Sequence, residues 1–538
     1  MTVSGRCRGT RAASGRVSLT CAYRWGETVG HSERNDATGA RKLTESGLAE
    51  IAAERPDIET PTYRRERLTQ AIMHVGVGGF HRAHQAVYLD ELAQRGITDE
   101  WGECGVGLLP QDKGMADALV PQQCLYTLVE RSAQQDKARV VGSMTGYLFA
   151  PEDPERVLAR LTDAATRIVS LTITEGGYNF NHATGAFDAE NPAVQHDLAN
   201  PSAPTTVFGY ICEALDRRRK AGLPPFTVLS CDNVQGNGAV ARRVMTAFAG
   251  LKDGALAHWI DANVAFPNSM VDRITPQTTD DDREMVARDF GIRDDWPVVA
   301  EPFTQWIVED VFSNGRPPLQ EVGVQFVDDV HPYEMMKIRL LNGSHVAMGY
   351  LGYLAGYRYV HEVMNDAHFR DFIQRMMDVD ITPLLPVVPG IDLDDYKRTL
   401  IERFANPKIK DQVQRICLDG SAKMPKFLLP SVSEALASGR PHRWLILAVA
   451  GWFRYLRGVD EQGERIPIQD PMADELQALA AQGEADPRTL LSVHSIFGDL
   501  AHNQTFVAEL EEALRAVYAQ GAAATLSAYL ASPDASAR

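Results

Sequence analysis

An alternation of apolar runs with helical patterns, between residues 43 and 329, restricts the possible folds of this chain most strongly. Four of the runs end in, or are followed directly by, glycine or polar residues: AIMHVGVG (71–78), GECGVGLL (102–109), RIVSLTITEGG (167–177) and FTVLSCDN (226–233). Apolar strands separated by helices are typical of βαβ units, whose parallel sheet is buried on both faces. Such sheets bind ligands beyond the carboxyl ends of their strands, so the polar endings predict a binding site there.

The pattern changes near residue 330, where long helical segments such as HPYEMMKIRLLNGSHVAMGYLGYLAG begin. A chain of 538 residues is also too long for one core, because cores stop growing near roughly 250–300 residues. We therefore predict an α/β protein, with a Rossmann-type parallel-sheet domain over 43–329 and a mainly α-helical domain over 330–538. Residues 1–42 are rich in Arg and Ser and lack an apolar stretch, which predicts a disordered tail or an upstream start site rather than a secretory signal.

Charge and cysteine content exclude several classes of partner. The net charge of −17 disfavours nucleic acid and anionic membranes, because like charges repel. No apolar run approaches the roughly 20 residues that span a bilayer. The seven cysteines are odd in number and form no CxxC pair, which argues against a disulfide framework or a thiolate zinc site. This pattern fits the reducing cytoplasm.

A glycine cluster after the first apolar run predicts a dinucleotide site. Gly76 would permit a tight turn, and Gly78 and Gly79 would let the backbone approach a pyrophosphate at a helix N-terminus. His81 stands where the usual third glycine would be, so an ordinary tight turn also fits this cluster. His81 and His84 form an HxxH pair, but without a third ligand nearby a packing role is favoured over metal binding.

Asp112 lies just past the second strand, where a carboxylate binds the ribose hydroxyls of NAD and repels the 2′-phosphate of NADP. It therefore predicts NAD as the cofactor. The alternative is a solvated loop aspartate beside Lys113.

The segment YEMMKIRLLNGSH places four polar residues in a largely apolar helix. At 100° per residue, Glu334, Lys337, Asn342 and His345 share an arc of about 140°. A helix that exposes this face to water is the alternative, but the surrounding Met, Leu and Val residues favour burial.

These residue types suit the oxidation of an alcohol by NAD without a metal. A lysine in a partly apolar pocket has a lowered pKa, so Lys337 is a candidate base. Amide groups donate to the substrate oxygen, and Asn233, at the end of a strand, would meet Asn342 across the cleft. His345 would hold a neighbouring hydroxyl, and Glu334 would relay the proton to solvent.

Seven segments in order resemble the mannitol dehydrogenase family, the polyol-specific long-chain dehydrogenases. They are GVGGFHRAHQAVYLDEL, WGECGVGLL, SLTITEGGYN, SCDNVQGNG, FPNSMVDRITP, VVAEPFTQWIVED and KIRLLNGSH. The resemblance implies a Rossmann domain and a helical domain with the active site between them. It supports the roles given above to Lys337, Asn233, Asn342, His345 and Glu334. It further implies Phe80 and Glu175 as cofactor contacts, and Asp272, Arg415 and Lys423 as substrate contacts.

The implied reaction is the interconversion of D-mannitol and D-fructose with NAD, by a monomer or small homo-oligomer. D-arabinitol or sorbitol dehydrogenases and the hexuronate (fructuronate and tagaturonate) reductases of the same family are the alternatives. A non-catalytic sugar- or dinucleotide-binding regulator on the same fold is disfavoured, because it would need no positioned base.

Overall fold

The four apolar runs become neighbouring strands of one parallel sheet in the computed structural model, which describes residues 39–179 and 186–532. The strands in these residues are β1 (Arg41–Lys42), β2 (Gln70–Val75), β3 (Gly102–Gly107), β4 (Tyr126–Arg131), β5 (Asp136–Val141), β6 (Met144–Phe149), β7 (Ile168–Leu171), β8 (Thr227–Ser230), β9 (Ser269–Asp272), β10 (Ile292–Arg293), β11 (Val298–Ala300), β12 (Gln305–Glu309) and β13 (Gln325–Val327).

The five-stranded sheet has the order β6-β3-β2-β7-β8, and all its neighbouring strands run parallel. Val75 of β2 pairs with Val106 of β3 and with Leu171 of β7, which in turn pairs with Ser230 of β8. The carboxyl ends of these strands therefore lie along one edge of the sheet, and the polar endings predicted to form a site follow them directly.

Helices surround this sheet and make up most of the chain after residue 330. The α-helices in the described residues are α1 (Leu48–Glu54), α2 (Gly79–Ala83), α3 (Gln85–Gln94), α4 (Lys113–Leu119), α5 (Pro154–Thr162), α6 (Pro192–Ala199), α7 (Val207–Ala221), α8 (Asn237–Lys252), α9 (Gly254–Asn263), α10 (Asp280–Phe290), α11 (His331–Met336), α12 (Gly343–Leu354), α13 (Val360–Asn365), α14 (Ala367–Arg375), α15 (Leu393–Phe404), α16 (Val413–Ile416), α17 (Gly420–Phe427), α18 (Leu429–Ser438), α19 (Arg443–Tyr455), α20 (Ala473–Gly483), α21 (Arg488–Leu491), α22 (His494–Phe497), α23 (Gln504–Gln520) and α24 (Ala522–Ala531). The predicted Rossmann-type sheet and helix-rich C-terminal region are confirmed.

The sheet is buried on both faces, as its apolar runs predict. Met73 and Val75 pack into a cluster with α5, α7 and α8, whereas the alternate residue Ile72 packs with α3 and β12. A separate core in the C-terminal region is built around α12, α19 and α23. Apolar positions every two residues in a strand, and all round a helix, account for these layers.

Most of the predicted tail, residues 1–38 of 1–42, lies outside the described residues. Arg41 and Lys42 pair in parallel with Ile292 and Arg293, so these last residues belong to the folded unit of residues 40–538. Three further small sheets are β1-β10, β11-β4-β5 and β13-β12-β9. In the described part of the chain, every helix is too short or too polar to cross a membrane.

Candidate active site

The segment that carries Lys337 is not one continuous α-helix. Lys337–Asn342 form a π-helical turn between α11 and α12, and the Gly343 N–H donates to the Ile338 carbonyl five residues earlier. In a π-turn, residues five apart lie one turn apart. Lys337 and Asn342 therefore lie nearly in line, instead of about 140° apart as α-helical spacing predicts. The α-helical assumption was wrong at this point, and the π-turn narrows the polar face.

Lys337 is buried, and its Nζ donates a hydrogen bond to Oδ1 of Asn233. Asn233 follows β8 in the turn at the carboxyl edge of the sheet. This contact joins the sheet region to the helical region, as predicted for a site between them. The amine and the amide lie along a narrow cleft that Met270, Glu334 and Ile338 also line.

Burial lowers the pKa of Lys337 from the ordinary 10.5 to about 8. The negative charges of Asp272 and Glu334 partly oppose this shift, and the positive charge of Arg403 adds to it. An amine with a pKa near 8 exchanges its proton close to neutral pH, which suits a general base.

Glu334 lies one turn before Lys337, and its Oε1 accepts a hydrogen bond of 3.0 Å from the Gly236 N–H. Burial raises the pKa of Glu334 to about 7. This carboxyl and the Lys337 amine therefore both change protonation near neutral pH, which fits a proton relay between them.

Several polar atoms in and beside the π-turn are buried without a hydrogen-bond partner in the described residues, and Oδ1 of Asn342 and Nε2 of His345 are among them. The His345 ring packs against Phe404 at 4.5 Å between centroids, and burial lowers its pKa to about 4. A neutral imidazole and an amide with open positions suit the hydroxyl groups of a ligand, because buried polar atoms are otherwise bonded.

Asp272, at the end of β9, forms a bidentate ion pair with Arg403 of α15 at 2.8 and 2.9 Å. Burial on its own raises the pKa of Asp272, but the attraction and hydrogen bonds of Arg403 outweigh it and leave that pKa below its ordinary value. The negative charge of Asp272 raises the pKa of Lys337, so the structure brings these two predicted residues into electrostatic contact.

Arg415 lies on α16 and Lys423 on α17, in the C-terminal region. Arg415 pairs with both carboxylate oxygens of Asp411 at 2.6 Å, and Lys423 donates to the Ile416 carbonyl at 3.3 Å. The charge of Arg415 lowers the pKa of His345, and burial lowers the pKa of Lys423. Their predicted contacts to distal hydroxyls stay predictions.

The glycine loop follows β2 as predicted. Gly76 has φ of +92°, and a Cβ there would lie 2.2 Å from the Thr172 carbonyl oxygen, so this position requires glycine. A Cβ at Gly78 would meet nothing nearer than the Gly76 oxygen at 3.8 Å, which leaves the loop open in front of α2. Gly79 begins α2, and the Phe80 ring packs against His84 at 4.9 Å. This open loop fits a diphosphate approaching first-turn N–H groups.

Asp112 and Glu175 follow the two strands beside β2. Oδ2 of Asp112 accepts a hydrogen bond of 2.9 Å from the Leu109 N–H, which fixes the carboxylate just beyond β3. Glu175 instead forms an exposed ion pair with Lys426 of α17. Asp112 therefore lies just beyond β3, and its contact with a ribose stays a prediction, whereas Glu175 bridges the two regions.

The HxxH pair has packing contacts. His81 is buried, stacks on His74 at 3.4 Å and lies 3.3 Å from Glu103, and His84 bonds the Gln305 carbonyl at 2.9 Å. Among the described residues, no group of three His, Cys, Asp or Glu side chains is arranged to hold a metal ion. The five cysteines within the described residues are all buried, and none forms a disulfide.

Sequence reasoning missed four residues that support this site. Asp232 accepts hydrogen bonds of 2.7 Å from Thr174 N–H and Tyr178 Oη, and Asn237 donates to the Ser269 carbonyl at 2.8 Å. The other two are Arg403 and Glu301. Asp232, Asn237 and Glu301 stand in segments that carry the family resemblance, whereas nothing in the sequence around Arg403 signals its role.

Comparison with known proteins agrees with this arrangement. Residues 70–321 match the mannitol dehydrogenase Rossmann domain, and residues 329–518 match the mannitol dehydrogenase C-terminal domain. The mannitol 2-dehydrogenase of Aspergillus fumigatus is 50% identical over 497 residues, which are 91% of this chain and 99% of that protein.

Two solved structures are similar over almost their whole length. Pseudomonas fluorescens mannitol 2-dehydrogenase, in a ternary complex with NAD and D-mannitol, is 48% identical with a TM-score of 0.83, over 92% of this chain and 100% of that one. A substrate-free D-sorbitol dehydrogenase is 38% identical with a TM-score of 0.83, over 90% and 100%. The chain therefore belongs to the mannitol dehydrogenase family.

Proposed function

We propose that this protein interconverts D-mannitol and D-fructose with NAD, and that Lys337 is the general base. The family and its relatives make it an NAD-dependent oxidoreductase acting on a polyol. The observation that carries the finer proposal is the buried Lys337 amine, with a pKa near 8, bonded to Asn233 beside the open polar atoms of Asn342 and His345.

The open glycine loop at Gly76–Gly79 would hold the cofactor diphosphate, and Asp112 would bind the adenosine ribose. When bound there, NAD⁺ supplies a hydride acceptor for the carbinol carbon. The carboxylate of Asp112 would repel the additional phosphate of NADP⁺.

In the oxidation direction, the neutral Lys337 amine takes the proton of the substrate hydroxyl as the carbinol C–H bond breaks and the carbonyl forms. The amide groups of Asn233 and Asn342 donate to the substrate oxygen while charge develops on it. Glu334 then accepts the proton from Lys337 and passes it towards solvent. In the reduction direction the same proton moves from Lys337 to the carbonyl oxygen.

A neutral polyol fits the site better than a uronate. Asp411 already neutralises Arg415 through two hydrogen bonds of 2.6 Å, and burial lowers the pKa of Lys423. A substrate carboxylate would therefore find no uncompensated guanidinium at Arg415. Sorbitol and D-arabinitol remain the second candidates, since a D-sorbitol dehydrogenase has the same fold at 38% identity.

The test is NAD reduction by the purified protein with D-mannitol, D-sorbitol and D-arabinitol at matched concentrations. We expect the highest kcat/KM with D-mannitol and a product that comigrates with D-fructose. A higher kcat/KM with either other polyol would overturn the substrate assignment. The cytoplasmic location and the monomeric or small homo-oligomeric state stay predictions.

A further inference from the structure

Arg403 connects the two regions of the protein beside the candidate base. It comes from α15 and binds two buried carboxylates of the sheet region. Asp272 takes two hydrogen bonds of 2.8 and 2.9 Å, and Glu301 takes two of 2.9 and 2.7 Å. The guanidinium also lies 3.9 Å from the centroid of the Phe303 ring.

The charges around Lys337 come from three elements. Glu334 lies on the adjoining helix α11, Asp272 on β9 and Arg403 on α15. Glu301 faces Arg403 from the residue after β11. With both cations protonated and Glu334 neutral, Asp272 and Glu301 balance Arg403 and Lys337, whereas deprotonation of Lys337 leaves one excess negative charge in this buried group.

We propose that Arg403 is a positioning residue for the reaction, which holds Asp272 beside Lys337 and withdraws that carboxylate from pairing with the Lys337 amine. After Arg403, Lys337 is the next cation that lowers the pKa of Asp272, so without Arg403 it would be the main positive charge acting on this carboxylate. A lysine in such a pair stays protonated and is a poor base, because an opposite charge nearby favours its charged form. This inference rests on the proposed role of Lys337.

The bidentate geometry matters as much as the charge. A guanidinium presents its N–H groups in a planar fork, which holds a carboxylate in one orientation, whereas an ammonium acts as a point charge. Arg403 donates hydrogen bonds to both oxygens of Asp272 and therefore fixes the orientation of this carboxylate. Asp272 is a predicted substrate contact, so its orientation also bears on substrate binding.

The test compares Arg403→Met with Arg403→Lys in the full-length protein. In Arg403→Met, we expect the pH inflection of polyol oxidation to move upward by about one unit or more, since an adjacent opposite charge shifts a pKa by roughly 1–3 units. In Arg403→Lys, the retained cation should keep the inflection near its wild-type position while KM for the polyol rises. Arg403→Met combined with Glu301→Gln leaves fewer buried unpaired charges, so it remains informative if the single variant folds poorly.

A second measurement does not depend on turnover. Only a neutral amine reacts with acetic anhydride, so the pH dependence of Lys337 acetylation, read by peptide mass spectrometry, reports its protonation directly. This curve should shift upward in Arg403→Met and in the double variant. If the wild type failed to oxidise any polyol, the proposed function would fall, and the acetylation curve would still test Arg403.

Arg218→Met is the matched control. Arg218 is a fully buried arginine of α7, and it donates to the carbonyls of Leu161, Asp163 and Pro224. Loss of Arg218 should destabilise the protein without moving the pH profile of polyol oxidation or the acetylation curve of Lys337. An unshifted acetylation curve for Lys337 in the folded Arg403 variants, or an equal shift in Arg218→Met, would overturn the proposal.

Discussion

Replacing Lys337 by alanine tests the core of the mechanism. With its pKa near 8, the amine is about one-tenth neutral at pH 7 and about nine-tenths neutral at pH 9. Oxidation by the wild type should therefore rise nearly tenfold between these pH values, because only the neutral amine accepts a proton. Reduction needs the charged amine, so its rate should fall over the same range. Lys337→Ala should lower kcat by roughly 10²–10⁴-fold. It should also remove the pH inflection near 8 from the rates of both oxidation and reduction.

The assay follows NADH absorbance with D-mannitol and with D-fructose across pH 6–10. Binding of NADH, followed by fluorescence, should stay nearly intact in Lys337→Ala, because the glycine loop lies in the sheet region. Lys397→Ala is a control: it removes another buried lysine, which pairs with Asp378 and Asp394, and should keep the wild-type inflection. If Lys337→Ala kept more than about a tenth of wild-type kcat, or the same inflection, another group would be the base.

Three further outcomes are expected. Asp112→Ala should narrow the preference for NADH over NADPH in fructose reduction, and equal use of both cofactors by the wild type would contradict the assignment of Asp112. Activity should survive EDTA, whereas loss on chelation that zinc reverses would refute a lysine mechanism. The ratio of kcat/KM for fructose and fructuronate should favour fructose, because Asp411 already pairs with Arg415; a clear preference for fructuronate would place the protein among the hexuronate reductases.

The parallel sheet could be predicted because four of its five strands have a recognisable sequence pattern. β2, β3, β7 and β8 are short apolar runs followed by glycine or polar residues. Because both faces of the sheet are buried, these runs are nearly continuous instead of alternating between apolar and polar residues. The position of the site follows from the same pattern, because the residues after parallel strands meet at one edge. Asn233 and Asp112 are candidate site residues for this reason, because each follows the end of a strand.

The π-turn could not be predicted, because an extra residue in one helical turn leaves no signature in apolar periodicity. Lys337–Asn342 reads KIRLLN, which an α-helix accommodates equally well. The turn appears only when the helix is packed, and here it faces the sheet region through Lys337 and Asn233. π-Turns of this kind are frequent at functional sites, where they redirect side chains.

The pairing between charged side chains could not be predicted from the sequence either. This pairing limits how the predicted substrate contacts can bind a ligand. The family resemblance implies Asp272 and Arg415 as substrate contacts, yet each is held by a partner, Arg403 and Asp411. A buried charge without a partner is costly to keep, so the buried Asp272 needs the opposite charge of Arg403. Such pairs offer their remaining lone pairs and N–H groups to uncharged hydroxyls without loss of balance, whereas a charged substrate would have to break them. In the proposed mechanism the proton passes through Lys337 and Glu334, while Asp272 and Arg415 keep their charges and their partners.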